Sequence, residues 1–310
     1  MTVEFVRTPD ERFAALDWPY APHYIEHAGE GAMLTGLRQH YVDEHPAGTP
    51  RGTFLLLHGE PTWAYLYREW IDPLVNLGYR VVALDHIGFG RSDKPVADEW
   101  YTIARHRKAL EHCIGELDLR DINLVVQDWA GPIGLITAVR EPERYARLFI
   151  LNTWLHEDGF EYGDGIRWWR QAALDPEQLG GDMPVGGIVS GTMRRTGHDA
   201  TAIGAAFDAP FPDFASKAGA RRFPVCIPFG EPALGDADEQ ARARAALRTW
   251  TATPVHLAFG DSDPVFPWEW AEQWAAEIPG ATLDRIEGAG HFVQTDAPDD
   301  CLGIVTKYST

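Results

Sequence analysis

The sequence predicts an α/β fold in which a largely parallel sheet is covered by helices. Short apolar runs alternate along the chain with longer amphipathic segments, which is the pattern of such folds. Glycine-rich turns follow two of the apolar runs. The chain has 310 residues, 45% of them hydrophobic, so it can bury the core of one large domain with an insertion, or of two small domains.

The first half of the chain supplies four predicted strands. They are short, apolar and followed by loop residues, and they lie in TFLLLHG (53–59), RVVALDHIGFGRSDKP (80–95), NLVVQD (123–128) and RLFILN (147–152). Helical periodicity marks residues 101–117 and 131–145, and Pro132 suits the first turn of the second helix. These segments predict strands that run parallel and are joined by helices.

The regular pattern stops after residue 156 and returns near residue 254. Residues 157–229 are rich in Gly, Pro, Trp and Phe and contain only short helical segments. Strands are predicted again in residues 254–261 and 281–288, with a helix over 267–278 between them. We therefore expect a core domain formed by residues 1–156 and 230–310, and a mainly helical cap formed by residues 157–229.

Charge and composition exclude several classes of partner. The formal net charge is −19 and the pI is near 4.9, so the surface would repel nucleic acid and anionic membranes. The N-terminus lacks the features of a signal peptide, and no run of 18 apolar residues exists, so a cytoplasmic location is expected. The three cysteines are widely spaced, which argues against a disulfide framework or a zinc site.

Polar residues follow several of the predicted strands where each one ends. In sheets of this kind, ligands bind at the carboxyl ends of the strands. Four such features occur, namely the segment His58-Gly59-Glu60-Pro61, the pair Asp128-Trp129, Asp263, and His291. The chain order of nucleophile, acid and histidine is that of the α/β-hydrolase triad. Ala130 and Gly131 supply the small residues that a sharp turn needs after its nucleophile, whereas Val126 stands where a glycine is common.

An aspartate in the nucleophile position changes the chemistry that is expected. Asp128 is already ionised at neutral pH, and a carboxylate suits displacement at a saturated carbon, which gives a covalent alkyl ester. His291 would then activate the water that hydrolyses the ester, and Asp263 would orient the imidazole. The backbone N–H groups of Trp129 and Glu60 are the expected donors to the oxyanion.

Two alternatives stay open for the acid. Asp261 shares a loop with Asp263, but Asp263 lies further past the strand and is favoured. An acid after the strand at 147–152 is the second alternative, because Glu157 and Asp158 follow it, although position 152 itself is an asparagine.

A departing anion needs hydrogen-bond donors inside a dry pocket, and an indole N–H is a donor on an apolar body. Trp129 is adjacent to the proposed nucleophile and must line the pocket. The cap segment GIRWWRQ adds Trp168 and Trp169, and the residues alone do not choose between them.

These segments resemble the haloalkane dehalogenases, a family of α/β-hydrolases. The similar blocks are HGEPTWAYLYR, GFGRSDKP, VVQDWAG, DAPFPD with KAGARRFP, and GAGHFVQ, which run in order from about residue 54 to residue 294. The resemblance implies an eight-stranded, mostly parallel sheet with an inserted cap, and cleavage of carbon–halogen bonds by water without metal or organic cofactor. A small apolar halogenated substrate and a halide ion are the implied ligands, and a monomer is expected.

Carried over residue by residue, the resemblance implies that Asp128 is the nucleophile, His291 the base and Asp263 the acid. Trp129 and Trp169 become the halide donors, with Trp168 as the alternative to Trp169, and Glu60 completes the oxyanion hole. Asn152 matches a position that carries the acid in a sister subfamily. Four phenylalanines of the cap would supply apolar lining to the pocket, although each could equally form part of the cap core, namely Phe160, Phe207, Phe211 and Phe223.

Three other functions are compatible with such a fold. Epoxide hydrolases use two cap tyrosines, and residues 157–229 contain only Tyr162. Fluoroacetate dehalogenases need basic residues near the nucleophile, and DWAG lacks an arginine. A binding protein that has lost turnover is disfavoured by the intact triad.

Overall fold

The computed structural model describes residues 3–28 and 33–309, and its main feature is an eight-stranded sheet. The strands of the chain are β1 (Phe5–Val6), β2 (His23–Glu26), β3 (Arg38–Glu44), β4 (Thr53–Leu57), β5 (Arg80–Leu84), β6 (Lys94–Pro95), β7 (Ile122–Gln127), β8 (Tyr145–Leu151), β9 (Val255–Gly260) and β10 (Thr282–Ile286). The sheet order is β10-β9-β8-β7-β4-β5-β3-β2, while β1 and β6 form a separate antiparallel pair. Neighbours from β10 to β5 run parallel, and β3 is antiparallel to both of its neighbours. The predicted fold class is confirmed.

The helices complete the α/β pattern. They are α1 (Ile71–Asn76), α2 (Ile103–Glu116), α3 (Ala130–Arg140), α4 (Asp164–Leu174), α5 (Val185–Thr192), α6 (Ala200–Asp208), α7 (Ala218–Arg222), α8 (Ala237–Leu247), α9 (Trp268–Glu277), α10 (Val293–Asp296) and α11 (Pro298–Lys307). Five of them, α4 to α8, lie in the long connection between β8 and β9, and the first four fall within residues 157–229, where the sequence shows only weak helical signals.

The central strands are fully buried because both faces of the sheet are covered. Every residue of β4, β7 and β9 is buried, and these strands are almost entirely apolar, as expected for parallel strands. Helices α2, α3 and α8 pack together, and α9 packs on β9 and β10. The carboxyl ends of β4, β7, β8 and β9 are therefore held side by side, and the loops that leave them converge on one region.

The helices predicted over 101–117 and 267–278 match α2 and α9 closely, whereas the helix predicted over 131–145 ends at Arg140, before β8 begins at Tyr145. The N-terminal strands were not predicted. Strands β2 and β3 carry polar residues at many positions, including His23, Arg38 and Gln39. They lie at the edge of the sheet, where apolar periodicity is weak. The C-terminal segment does form a closing helix, α11, which buries Cys301 and Val305.

Candidate active site

Asp128 occupies the tip of a sharp turn between β7 and α3. Its backbone has a φ of 52°, in the left-handed region that non-glycine residues rarely adopt. The turn is held by hydrogen bonds, because the Asp128 N–H donates to the Asn152 carbonyl (2.9 Å) and the Gly131 N–H donates to the Asp128 carbonyl (2.9 Å). The Thr153 hydroxyl also donates to that carbonyl. These bonds offset a backbone strain of about 1–3 kcal/mol and present the side chain beyond the strand end.

Glycines give the turn the space it needs. A Cβ on Gly59 would lie 2.3 Å from Oδ1 of Asp128, and one on Gly131 would lie 2.0 Å from Oγ1 of Thr153. Val126, which departs from the common pattern, packs against helix α3 at Gly134, where a Cβ would lie 2.8 Å from its Cγ1. The valine side chain at position 126 therefore fits because position 134 is a glycine, which has no side chain.

His291 links the Asp128 carboxylate to a second carboxylate. Its Nε2 lies 3.6 Å from Oδ2 of Asp128, and its Nδ1 lies 3.0 Å from Oδ2 of Asp263. All three side chains are buried, with 4–8% exposure. The structure thus brings together the three residues that the sequence predicted as a triad.

Asp263 is the acid that faces His291, and the alternatives lie elsewhere. Asp261 instead accepts a hydrogen bond from the Gly288 N–H at 2.8 Å, and its other oxygen lies 3.9 Å from Arg285. Glu157 pairs with Arg248 at 2.8 Å. Asp158 is exposed on the surface.

Asn152 ties the ends of three strands together, a role that the sequence did not reveal. Its amide Nδ2 donates to Oδ2 of Asp263 (2.7 Å), and its Oδ1 accepts the Gly260 N–H (3.0 Å). Its carbonyl accepts the Asp128 N–H, as described above. An aspartate at 152 would direct a second carboxylate at Asp263, so the amide is the side chain that fits.

Glu60 contributes its backbone to Asp128 and its side chain to the pocket. The Glu60 N–H donates to Oδ1 of Asp128 at 2.8 Å, which leaves Oδ2 free to face the cavity and His291. Burial and the nearby Asp128 carboxylate raise the pKa of the Glu60 carboxyl well above its usual range. Trp129, the other expected oxyanion donor, is the next residue of the same turn.

Two carboxylates act on the imidazole of His291. Burial lowers the pKa of His291, but Asp263 and Asp128 outweigh that effect and raise it to about 10. Gln127, the last residue of β7, also contacts this imidazole, and its Nε2 lies 3.2 Å from Nε2 of His291. The sequence analysis missed this buried polar residue, although it directly precedes the predicted nucleophile.

An apolar cavity of about 340 Å³ lies in front of Asp128 and His291. Helices α4 and α5 form one of its walls through Ile166, Trp168, Trp169, Ile188, Gly191 and Thr192. Trp129, Trp154, Phe266 and Phe292 complete much of the aromatic lining. Among the described residues that line this cavity there is no lysine or arginine.

Four tryptophans line this cavity, and one of them, Trp154, has a buried indole N–H that finds no acceptor among the described residues. Over the described residues, the N–H groups of Trp129, Trp168 and Trp169 donate to no protein atom, and all three side chains line the cavity. Trp168 is 59% exposed, whereas Trp169 is partly buried against the core. A buried anion would therefore meet Trp129 and Trp169 before Trp168.

The predicted phenylalanine lining is wrong. Phe207 packs edge-on against Tyr65, Phe211 against Phe89, and Phe160 against Tyr162 and Trp270. Phe223 packs against Trp129 (ring centroids 5.6 Å) but does not line the cavity. These rings fill core positions, and the bulk of the cap wall comes from tryptophan and aliphatic residues instead.

Two other features separate this site from related chemistries. Tyr162 is buried and bonds to Nδ1 of His156 at 2.9 Å rather than lining the cavity. Within residues 3–28 and 33–309, no group of three or more His, Cys, Asp or Glu side chains is arranged to hold a metal ion, and no helix is long and apolar enough to cross a membrane.

A mostly parallel eight-stranded sheet whose sharp strand-to-helix turn presents Asp128 beside His291 defines an α/β-hydrolase. The α/β hydrolase fold family matches residues 52–184. A haloalkane dehalogenase from Psychrobacter cryohalolentis is 37% identical, with 99% of this chain and 98% of that protein covered. One from Mycobacterium marinum is 40% identical, with 95% and 96% covered. The solved structure of the tetrameric haloalkane dehalogenase DpaA from Paraglaciecola agarilytica NO2 superposes with a TM-score of 0.89 at 34% identity, covering 99% of this chain and all of that one.

The chain therefore belongs to the haloalkane dehalogenase family and is a hydrolase that acts on carbon–halide bonds. The resemblance noted in the sequence is confirmed over nearly the whole chain.

Proposed function

We propose that Asp128 attacks the halogen-bearing carbon of a haloalkane and is alkylated on its side chain. Oδ2 is the attacking oxygen, because Oδ1 is held by the Glu60 N–H. The carbon–halogen bond breaks as the ester bond forms, and the halide leaves with the bonding electrons. The observation that carries this proposal is the position of Oδ2, which faces both the apolar cavity and His291.

The halide is received by the indole N–H groups of Trp129 and Trp169. Both rings line the cavity, and neither N–H is used by a protein acceptor over the described residues. In an apolar cavity an anion cannot be solvated by water, so these donors are worth more than they would be in solution. Trp168 is the alternative, but its exposed ring would hold the ion closer to solvent.

Water then hydrolyses the ester with His291 as the base. His291 takes a proton from the water, whose oxygen bonds to Cγ of Asp128, and the negative charge develops on Oδ1, which accepts the Glu60 N–H. The Trp129 N–H is the proposed second donor. The tetrahedral intermediate then collapses as the bond between Cγ and the alkyl oxygen breaks. The leaving alcohol takes the proton from His291, and the proton left on the new carboxyl group of Asp128 is released to solvent. Asp263 orients the imidazole through Nδ1.

Isotope labelling of the first turnover tests this mechanism. Excess enzyme is mixed with 1-bromobutane in H₂¹⁸O, and both products are analysed by mass spectrometry. A covalent route places ¹⁸O in Asp128 and leaves ¹⁶O in the alcohol of that turnover. An ¹⁸O-labelled alcohol with an unlabelled Asp128 would indicate direct attack by water and would overturn the proposal. Asp128→Ala, which retains the cavity but has no carboxylate, should release no halide.

We also propose that residues 157–229 form a cap over a core built by residues 1–156 and 230–310. Helices α4 and α5 of this segment border the cavity, while the sheet side supplies the reacting groups. The best-fitting substrates are small, uncharged haloalkanes, because the cavity is apolar and its described lining includes no lysine or arginine. Their removal in the cytoplasm would be a detoxifying reaction.

The epoxide hydrolase alternative makes an opposite prediction about substrates. Opening an epoxide requires a proton for the leaving oxygen, and Tyr162 is turned away from the cavity. Halide release from 1,2-dibromoethane or 1-bromobutane, with styrene oxide left unchanged, is the expected result. Turnover of styrene oxide without halide release from any short bromoalkane would reverse the assignment.

We propose a monomer, as the sequence analysis expected. Light scattering of the purified protein tests this proposal. A tetramer, the state described for DpaA, would contradict it.

A further inference from the structure

The geometry points to Gln127 as a positioning residue that favours the neutral form of His291, in which the proton is on Nδ1 and Nε2 can accept a proton from water. This inference rests on the base role proposed for His291. It concerns a buried amide for which the mechanism above has no use.

The orientation of the Gln127 amide is fixed by a backbone carbonyl. Nε2 of Gln127 lies 3.2 Å from the His291 carbonyl oxygen, which can only accept a hydrogen bond. The end of the amide that faces this oxygen must therefore be the nitrogen. The same nitrogen lies 3.2 Å from Nε2 of His291, so the imidazole also meets an N–H donor.

An N–H donor at Nε2 selects one form of the imidazole. Nδ1 of His291 lies 3.0 Å from the Asp263 carboxylate and donates its proton there. With the proton on Nδ1, a neutral ring offers the Nε2 lone pair to Gln127, whereas a charged ring would place two N–H groups against each other. Gln127 therefore favours the neutral ring with its proton on Nδ1.

The opposite orientation of the amide carries a clear cost. It would direct Oε1 at the His291 carbonyl and place two acceptors together. In the observed orientation Oε1 is buried and has no partner among the described residues. Oε1 of Gln127 thus stays unpaired, while its Nε2 contacts both the carbonyl oxygen and Nε2 of His291.

Two charged groups around His291 favour the charged imidazole, so a group that favours the neutral form is needed for the ring to act as a base. Asp263, after β9, and Asp128, after β7, both favour the charged ring and raise the pKa of His291 to about 10. A third carboxyl, that of Glu60 after β4, has a pKa that burial and the Asp128 carboxylate raise well above its usual range. The remaining neighbours of the ring are Phe266 and Phe292.

Alkylation changes this balance in favour of the base. The ester of Asp128 carries no charge, so one of the two carboxylates no longer stabilises the imidazolium. Gln127 also favours the neutral imidazole. A water molecule that takes the place of the Gln127 N–H can therefore donate to the Nε2 lone pair without a change of tautomer. The amide keeps its bond to the His291 carbonyl when this happens.

The pH dependence of ester hydrolysis tests this role. Gln127→Met preserves the side-chain length and removes both N–H contacts. Rapid-quench mass spectrometry with 1-bromobutane, from pH 5 to pH 9, gives the rates of alkylation and of ester hydrolysis separately. Loss of a donor to Nε2 raises the pKa of the base. The acid limb of the pH profile, which is the range where the rate of ester hydrolysis falls with decreasing pH, should therefore move up by roughly half to one pH unit. Alkylation should keep its wild-type pH dependence.

Two further variants separate this role from a structural one. Gln127→Glu places a carboxyl beside the imidazole, which favours the charged ring, and should shift the limb further in the same direction. Gln294→Met is the matched control, because Gln294 is equally buried, donates to the Tyr67 hydroxyl (3.3 Å) and also has an unpaired Oε1. It should lose stability without moving the limb.

The outcomes distinguish failure of this inference from failure of the proposed function. If Gln127→Met slows both steps or unfolds at lower temperature with the limb unmoved, Gln127 is only structural and the inference is overturned. If the wild-type enzyme forms no alkyl adduct at Asp128, the proposed function itself fails. A limb that moves for Gln127→Met and not for Gln294→Met supports the inference.

Discussion

The two walls of the cavity are built on opposite principles. The sheet-side wall, defined as Asp128 and His291 with Asp263 and Asn152 behind them, is held by hydrogen bonds between the residues that follow the strand ends. The cap-side wall, defined as the cavity-facing residues of α4 and α5, presents indole groups and glycines that contact few protein atoms. The first wall fixes the reacting atoms, and the second leaves volume for a substrate.

This difference sets the expected effects of substitution. On the sheet-side wall a single change removes a reacting group or its orientation, so one chemical step is lost. On the cap-side wall a change alters binding or volume while the chemistry remains. The contrast between the two walls would be contradicted if substitutions on the sheet-side wall changed only binding, or if substitutions on the cap-side wall abolished a chemical step.

Replacing His291 with Phe should have the largest effect. The ring volume remains, the base is lost, and Asp128 can still be alkylated, so halide release should stop after one equivalent per enzyme. Mass spectrometry with a bromoalkane should show a stable alkyl adduct on Asp128. An unmodified Asp128 after prolonged incubation would rule out this order of steps.

Replacing Asp263 with Asn should come next. The carboxylate that orients Nδ1 is lost, and an amide would face the amide of Asn152. Turnover should fall by about 10²–10⁴-fold, with ester hydrolysis more affected than alkylation. Asp261→Asn is the matched control from the same loop and should stay close to wild type. Equal losses in the two variants would return Asp261 to consideration.

The same division explains how far the sequence could predict the site. Asp128, His291 and Asp263 could be identified because each lies in a short motif at the end of a strong apolar strand. Of the wall formed by α4 and α5, only Trp168 and Trp169 could be predicted, because the buried faces of these helices depend on tertiary packing. The four phenylalanines were hydrophobic enough for a pocket, but the fold uses them as core. Gln127 and Asn152 were visible as polar residues at strand ends, but only their partners reveal what they do.

Between the cap tryptophans, Trp169→Phe should weaken bromide binding more than Trp168→Phe. The N–H of the partly buried ring would make a hydrogen bond to an anion out of water, and its loss should raise the dissociation constant about 10–100-fold. Fluorescence quenching by bromide measures this directly. The reverse order of effects would reassign the donor to the exposed Trp168.

The smallest effects should come from substitutions at two glycines, one in α3 and one in α5, and should be effects on stability. Gly134 lies in α3, where an added Cβ would meet Cγ1 of Val126 at 2.8 Å, so Gly134→Ala should lower the free energy of unfolding by about 1–3 kcal/mol. Gly191 lies in α5, where an added Cβ would meet nothing within 4 Å, so Gly191→Ala should raise it by about 0.5 kcal/mol.

Urea unfolding of both variants, together with Val126→Ala and the Val126→Ala/Gly134→Ala double variant, tests the packing argument. The double variant should be more stable than the sum of its single changes predicts, because the smaller side chain makes room for the new Cβ. Additive effects would show that Val126 is not what Gly134 accommodates. A destabilised Gly191→Ala would show that the cap-side wall is as tightly packed as the sheet side, and the contrast between the two walls would fail.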